Sequence, residues 1–173
     1  PHKGKVFNLP GVEEISIPGI NERGNYLFES YQYSKRIFEY LDNRTDGVVY
    51  AQGFTVWHNM TKLQMPLVVN PHGLESYQAQ GLKDRFKGIP FRLIFSSIFR
   101  RADYVVSEGG KLTGILQDIL GNNGNIVTFY NGVNPPRDPI VRSFEGVRKF
   151  LFVGRFVENK GLHVLYRALD KLP

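Results

Sequence analysis

Hydrophobic residues along the chain form two alternating patterns: short continuous apolar runs, and longer segments in which apolar residues recur every three or four positions. The continuous runs predict strands at residues 5–9, 47–52, 66–70, 103–106, 126–130 and 149–154. The helical spacing predicts helices at residues 26–41, 55–63, 90–102, 110–120 and 162–172. Continuous apolar strands separated by helices are typical of parallel βαβ units, so the sequence predicts an α/β fold with a Rossmann-like, doubly wound parallel sheet.

A domain boundary is indicated by the segment NGVNPPRDP at residues 131–139, which holds three prolines and a glycine within nine positions. We expect a first domain at residues 1–134, a linker at 135–146 and the start of a second domain at 147–173. The second domain would then begin with one strand and one helix.

Candidate binding residues follow the predicted strands, because ligands of open α/β sheets bind beyond the carboxyl ends of the strands. Glycines and polar residues gather at these points, in Gln52-Gly53, Asn70-Pro71-His72-Gly73, Ser107-Glu108-Gly109-Gly110, Asn131-Gly132 and Gly154-Arg155. We single out Gly73, Glu75, Ser107 and Asn131 as possible pocket or loop residues. Glu75 could instead cap the helix that follows it.

The net charge of +6 is concentrated in one segment. Residues 83–101 carry one anion, Asp84, and six cations: Lys83, Arg85, Lys87, Arg92, Arg100 and Arg101. This segment is either a solvated helix face or a surface for an anionic membrane or a phosphorylated ligand. Nucleic acid is disfavoured, because no recognised DNA- or RNA-binding motif accompanies the charge.

Several classes of site are disfavoured by what the sequence lacks. With no cysteine there is neither a disulfide framework nor a thiolate metal site, and the four histidines lack ligand spacing. Gly-x-Gly-x-x-Gly, Walker A, Asp-x-Asp and Gly-x-Ser-x-Gly signatures are also absent. No apolar run reaches the roughly 18 residues of a membrane span. We therefore expect a cytoplasmic protein that can also associate with a membrane surface through residues 83–101, with no metal and no other cofactor.

Four motifs occur in an order that resembles one enzyme family. They are PLVVNPHGLE at 66–75, ADYVVSEGGKLTGIL at 102–116, FYNGVN at 129–134 and LFVGRFVENKGL at 151–162. Together they resemble the group 1 glycosyl transferases, retaining enzymes of the GT-B fold with two Rossmann-like domains. The resemblance covers residues 47–173.

The resemblance implies transfer of a sugar from a UDP- or GDP-sugar to a glycan or lipid-linked acceptor, with retention and without a metal. It places His72 near the reaction centre as the catalytic residue, and Arg155, Lys160 and Gly161 at the donor diphosphate. The chemistry is consistent with this, since negative charge grows on the leaving diphosphate and fixed cations must stabilise it. Each charge-assisted hydrogen bond contributes about 1.5–3 kcal/mol.

Other interpretations of the same residues stay open. Arg155 and Lys160 could pair with surface carboxylates such as Glu158. His72 could be structural, and Asn131 could only set the interdomain turn. At the level of the whole chain, the alternatives are a non-catalytic nucleotide- or phosphate-binding domain and a GT-B sugar epimerase or phosphorylase.

Two features of the family cannot be assigned in this sequence: its pair of glutamates separated by seven residues, and its first strand with a Gly-rich loop. We therefore expect an amino-terminal domain without its first strand, followed by the start of the donor-binding domain. The chain by itself should lack transferase activity, because the donor site would be incomplete. Turnover of any nucleotide sugar by the 173-residue chain would contradict this prediction.

The predicted strand at 149–153 would lack the neighbouring strands that a complete second domain would provide. An unpaired strand edge favours pairing with another chain, so we expect the protein to self-associate. Light scattering across a concentration series tests this, and a strict monomer throughout would argue against intermolecular pairing.

Overall fold

The computed structural model describes residues 9–21, 23–79, 81–121, 124–130, 132, 150–154, 156 and 160–172. The chain divides into two compact units, Pro1–Gly132 and Val133–Pro173. Among the described residues, no helix combines the length and hydrophobicity that crossing a membrane requires.

The first unit is an α/β fold, which confirms that part of the sequence prediction. Its strands are β1 (Val49–Gln52), β2 (Leu67–Asn70), β3 (Tyr104–Ser107) and β4 (Ile126–Thr128). Its helices are α1 (Tyr26–Leu41), α2 (Glu75–Gln78), α3 (Leu82–Lys87), α4 (Ile89–Arg101) and α5 (Lys111–Leu120). All three strand pairings are parallel, and the strands lie in the order β1-β2-β3-β4.

The core lies on one face of this sheet. Alternate strand residues point to it, and they pack with apolar side chains of α4 and α5. The buried cluster contains Ala51, Val56, Leu67, Val69, Leu74, Phe95, Ile98, Phe99, Val105, Leu112 and Leu116. Because right-handed crossovers in a sequential strand order place every connecting helix on the same side, the helices cover one face only.

The opposite face of the sheet is partly exposed, whereas the doubly wound sheet that the sequence predicts would be covered by helices on both faces. Tyr50, Tyr104 and Val127 are about half exposed there. The strand order contains no reversal among the described residues, so the predicted double winding is not seen in them.

Helix α1 has the bounds that its periodicity predicts. It begins at Asn25, whose Oδ1 accepts a hydrogen bond from the Phe28 N–H at 3.1 Å. Its buried face includes Ser34, whose Oγ accepts from the His58 N–H at 3.0 Å. The helix predicted at 55–63 is reduced to a 3-10 turn at Met60–Lys62, because Asn59 adopts the left-handed conformation with φ 48°.

The sequence predicts no bounds for α2 and α3, since four and six residues are too few to show a helical period. Helix α3 leads almost continuously into α4, because Gly88 between them has helical dihedral angles. Its N–H bonds to the Asp84 carbonyl, and its own carbonyl accepts from the Arg92 N–H.

In the second unit, the helix α6 (Leu162–Leu169) confirms the leucine periodicity. The strand predicted at 149–154 is not observed, because residues 150–154 have no strand pairing. Residue 149 and residues 5–8 of the strand predicted at 5–9 lie outside the described residues.

The one-sided core predicts a large contrast between two leucine-to-alanine substitutions. Leu116 is fully buried on α5, whereas Leu93 on α4 is 67% exposed. Leu116→Ala should lower the free energy of unfolding by about 2–5 kcal/mol, since it removes buried apolar surface and leaves a cavity. Leu93→Ala should change it by less than about 0.5 kcal/mol. Urea denaturation compares the two, and equal effects would contradict this assignment of the core.

Candidate functional site

A cavity of about 880 Å³ opens in the first unit at the carboxyl ends of β1 and β2. We call it the carboxyl-edge cavity. The loops after the two strands contribute Gln52, Gly53, Pro71, His72 and Gly73 to its lining. The helices contribute aromatic and polar groups, among them Tyr26, Tyr33, Glu75, Ser76, Phe91 and Phe95. The volume is in the range of small-molecule sites, about 300–1,000 Å³.

The two post-strand loops are held together by Asn70, the last residue of β2, which is 5% exposed. Its Nδ2 donates to the Tyr50 hydroxyl at 3.0 Å, and its carbonyl accepts from the Gly53 N–H at 3.0 Å. Its Oδ1 accepts from the His72 N–H at 2.9 Å, which closes a turn of the Asx type. Leu74, 1% exposed, anchors the other end of the β2 loop in the core.

His72 occupies the left-handed region of backbone conformations, with φ 57°. Such a conformation costs a non-glycine residue roughly 1–2 kcal/mol, and it persists only where the surroundings fix it. The hydrogen bonds of Asn70 and the burial of Leu74 supply that constraint. A strained residue at the rim of a cavity is a candidate functional residue.

The His72 ring pairs with Glu108, which the sequence placed among the residues after a strand but did not single out. Nδ1 of His72 lies 3.3 Å from Oε1 of Glu108, and the two side chains are 54% and 25% exposed. Strands β2 and β3 are parallel neighbours, so the residues that follow them meet at the same edge of the sheet. That strand adjacency is the signal that could have connected the two residues.

Ser107 and Glu75 differ in their relation to the cavity. Ser107 is fully buried and does not line it. Its Oγ lies 2.7 Å from the Thr113 hydroxyl and accepts from the Gly109 N–H, so its observed contacts are those of a turn residue. Glu75 does line the cavity and is also the first residue of α2, where a carboxylate is favoured by the helix dipole.

Ser76, which the sequence did not indicate, is among the residues that line the cavity. Its Oγ, however, is buried, and it has no hydrogen-bond partner among the described residues. Leaving a buried hydroxyl unpaired costs about 1–3 kcal/mol.

The second unit presents Lys160 and Gly161 at the start of α6. Lys160 is exposed, and Gly161 is the residue that caps the helix, with φ 70°. A Cβ added at Gly161 would meet no atom within 4 Å, so the space around this turn is open. Arg155, Glu158 and Asn131 lie outside the described residues.

No metal site is formed in the part of the chain that the structure describes, since no three His, Cys, Asp or Glu side chains cluster there. No family model matches the chain, and no curated protein or solved structure gives a significant match. The fold and the site therefore define the class only as an α/β protein with a ligand-sized cavity at the carboxyl edge of a parallel sheet.

The strain at His72 can be measured by two substitutions that remove the same imidazole. Glycine tolerates positive φ and alanine does not, so His72→Gly should be more stable than His72→Ala by about 0.5–1 kcal/mol. Thermal or urea unfolding provides the comparison. Gln117 in α5 provides the control, because at an ordinary helical position alanine is more stabilising than glycine. Gln117→Ala should therefore be more stable than Gln117→Gly. An alanine variant at position 72 as stable as the glycine variant would contradict the left-handed backbone.

Proposed function

We propose that this chain belongs to a metal-independent, retaining glycosyltransferase of the GT-B type, which takes a UDP- or GDP-sugar as donor and a glycan or lipid-linked sugar as acceptor. The observation that carries the proposal is the carboxyl-edge cavity, which is lined by the strained His72 loop and Glu75 together with Tyr26 and Tyr33. Hydroxyl and carboxylate groups in a partly aromatic cavity suit a polyhydroxylated ligand.

In this proposal His72 contacts the sugar and Glu108 positions its ring. A carboxylate beside Nδ1 favours the tautomer that carries its proton there. Nε2 of the neutral ring is then an acceptor, able to bind a sugar hydroxyl.

The proposed diphosphate site uses Arg155, Lys160 and Gly161 in the second unit. During transfer the bond between the sugar C1 and the β-phosphate oxygen breaks, while the acceptor hydroxyl attacks C1 on the same face and passes its proton to an oxygen of the leaving diphosphate. Negative charge grows on the diphosphate as the bond breaks. Arginine binds phosphate oxygens through a planar fork, lysine through a mobile point charge, and the N–H groups at the start of α6 add their partial positive charge.

Calorimetric titration of the chain with UDP and GDP tests the cation assignment. Arg155→Ala and Lys160→Ala should each weaken binding by about 10- to 100-fold, the equivalent of one charge-assisted hydrogen bond. Lys171→Ala is the matched control, because Lys171 is an exposed lysine just beyond the other end of α6. Unchanged affinity in both cation variants would mean that Arg155 and Lys160 are ordinary surface charges.

The same titrations distinguish a glycosyltransferase from a non-catalytic nucleotide- or phosphate-binding domain. A nucleotide- or phosphate-binding domain would bind UDP or GDP without using the sugar site. For a glycosyltransferase, His72→Ala should weaken binding of a nucleotide sugar more than binding of its nucleoside diphosphate. Equal weakening of both ligands would favour the binding-domain alternative.

A further inference from the structure

Four apolar side chains form an exposed stripe along α3 and α4. Leu82, Phe86 and Leu93 are 74%, 71% and 67% exposed, and Ile89 is also exposed. They follow one another at spacings of four, three and four residues, which places them on one side of a helix. We call these four residues the apolar stripe.

The spacing is meaningful because the two helices are almost continuous through Gly88. The other side of α4 is fixed to the core by Phe95, Ile98 and Phe99. A helical period therefore directs the apolar stripe away from the sheet, where nothing in the described residues buries it. Apolar residues on the outward side of a core-packed helix are not explained by the fold of this unit.

The cations of the segment surround the stripe instead of mixing with an equal number of anions. Lys83 and Arg85 flank it on α3, and Arg100 and Arg101 lie exposed at the end of α4. Asp84, the segment's single anion, and Lys87 lie on the side that lines the carboxyl-edge cavity. The outward side of the helix pair is therefore both apolar and positively charged.

Arg92 is the exception among the six cations, because its guanidinium is used inside the fold. It donates to the Ser76 and Arg85 carbonyls, each at 2.8 Å. Its own carbonyl accepts from the Tyr77 hydroxyl at 2.8 Å, and burial raises the pKa of Tyr77, which keeps that hydroxyl protonated. These contacts fix α2 and α4 together and hold the stripe in a defined orientation.

We propose that the apolar stripe and its cations dock the protein on an anionic lipid bilayer. An apolar strip bordered by lysine and arginine on a helix lying parallel to the surface is the arrangement of interfacial helices. Charge attracts the segment to anionic headgroups, and the leucine and phenylalanine side chains enter the acyl boundary. A nucleic acid would neutralise the cations but would leave the four apolar side chains in water. This inference does not depend on the proposed glycosyl transfer.

Co-sedimentation with vesicles tests the proposal on the full 173-residue chain. We expect binding to vesicles of equal parts phosphatidylglycerol and phosphatidylcholine, weakening with added salt, and little binding to pure phosphatidylcholine. Lys83→Gln with Arg85→Gln should weaken binding about 30-fold. Leu82→Ser with Phe86→Ser should weaken it at least about 10-fold through lost apolar contact.

Matched controls carry the same changes elsewhere on the first unit. Lys62→Gln with Lys111→Gln removes two exposed cations, and Phe28→Ser with Val48→Ser removes two exposed apolar side chains. Both pairs should bind vesicles like the unchanged protein. Thermal unfolding of all variants checks that they fold.

Insertion can be followed at a single site, because the sequence contains no cysteine. An environment-sensitive fluorophore on Phe86→Cys should shift to the blue on anionic vesicles, whereas the same label on Val48→Cys should not. No vesicle binding, equal losses in the control pairs, or a label at position 86 that stays in water would overturn the proposal. So would binding to a single-stranded oligonucleotide without binding to vesicles.

Discussion

The geometry of the candidate site depends on the hydrogen bonds of one buried residue, Asn70. Its side chain and carbonyl bind Tyr50 and Gly53 on the β1 side and the His72 backbone on its own side. Each bond adds about 1 kcal/mol, and none could be lost without leaving a buried polar group unpaired. The left-handed conformation of His72 is possible because these bonds fix the loop from one end while Leu74 fixes it from the other.

Parallel strand pairing brings together the loops that follow neighbouring strands. Because β2 and β3 are neighbours with the same direction, the residues after them converge, and Glu108 reaches the ring of His72. The same alignment brings Gln52 and Gly53 beside Pro71 and His72. A cavity at this edge follows from the strand order, and the loop residues placed there add polar groups to its largely apolar lining.

The first unit uses its apolar residues unevenly. One face of the sheet is packed with α4 and α5, while the other exposes Tyr50, Tyr104, Val127 and Phe129 around an apolar hollow of about 430 Å³. Helices α3 and α4 show a second imbalance, with apolar residues directed both into the core and away from it. Charge distinguishes the apolar stripe from the apolar hollow. Cations border the stripe, whereas the residues that line the hollow are uncharged.

Sequence periodicity by itself determined the parallel α/β class, both bounds of α1 and the positions of β1, β2 and β3 to within two residues, because apolar spacing reports burial directly. It also found His72 and Gly73 beside a cavity, since polar residues after strands mark the carboxyl edge. Only the tertiary structure decided that the helices cover one face, because that depends on strand order. Only the tertiary structure joined Glu108 to His72, because the two residues follow different strands. The burial of Ser107 in a turn and the unpaired hydroxyl of Ser76 were also decided by the tertiary structure, because they depend on how the elements pack. Likewise, the charge of residues 83–101 was visible in the sequence, but the separation of Arg92 from the outward cations depended on how α4 packs.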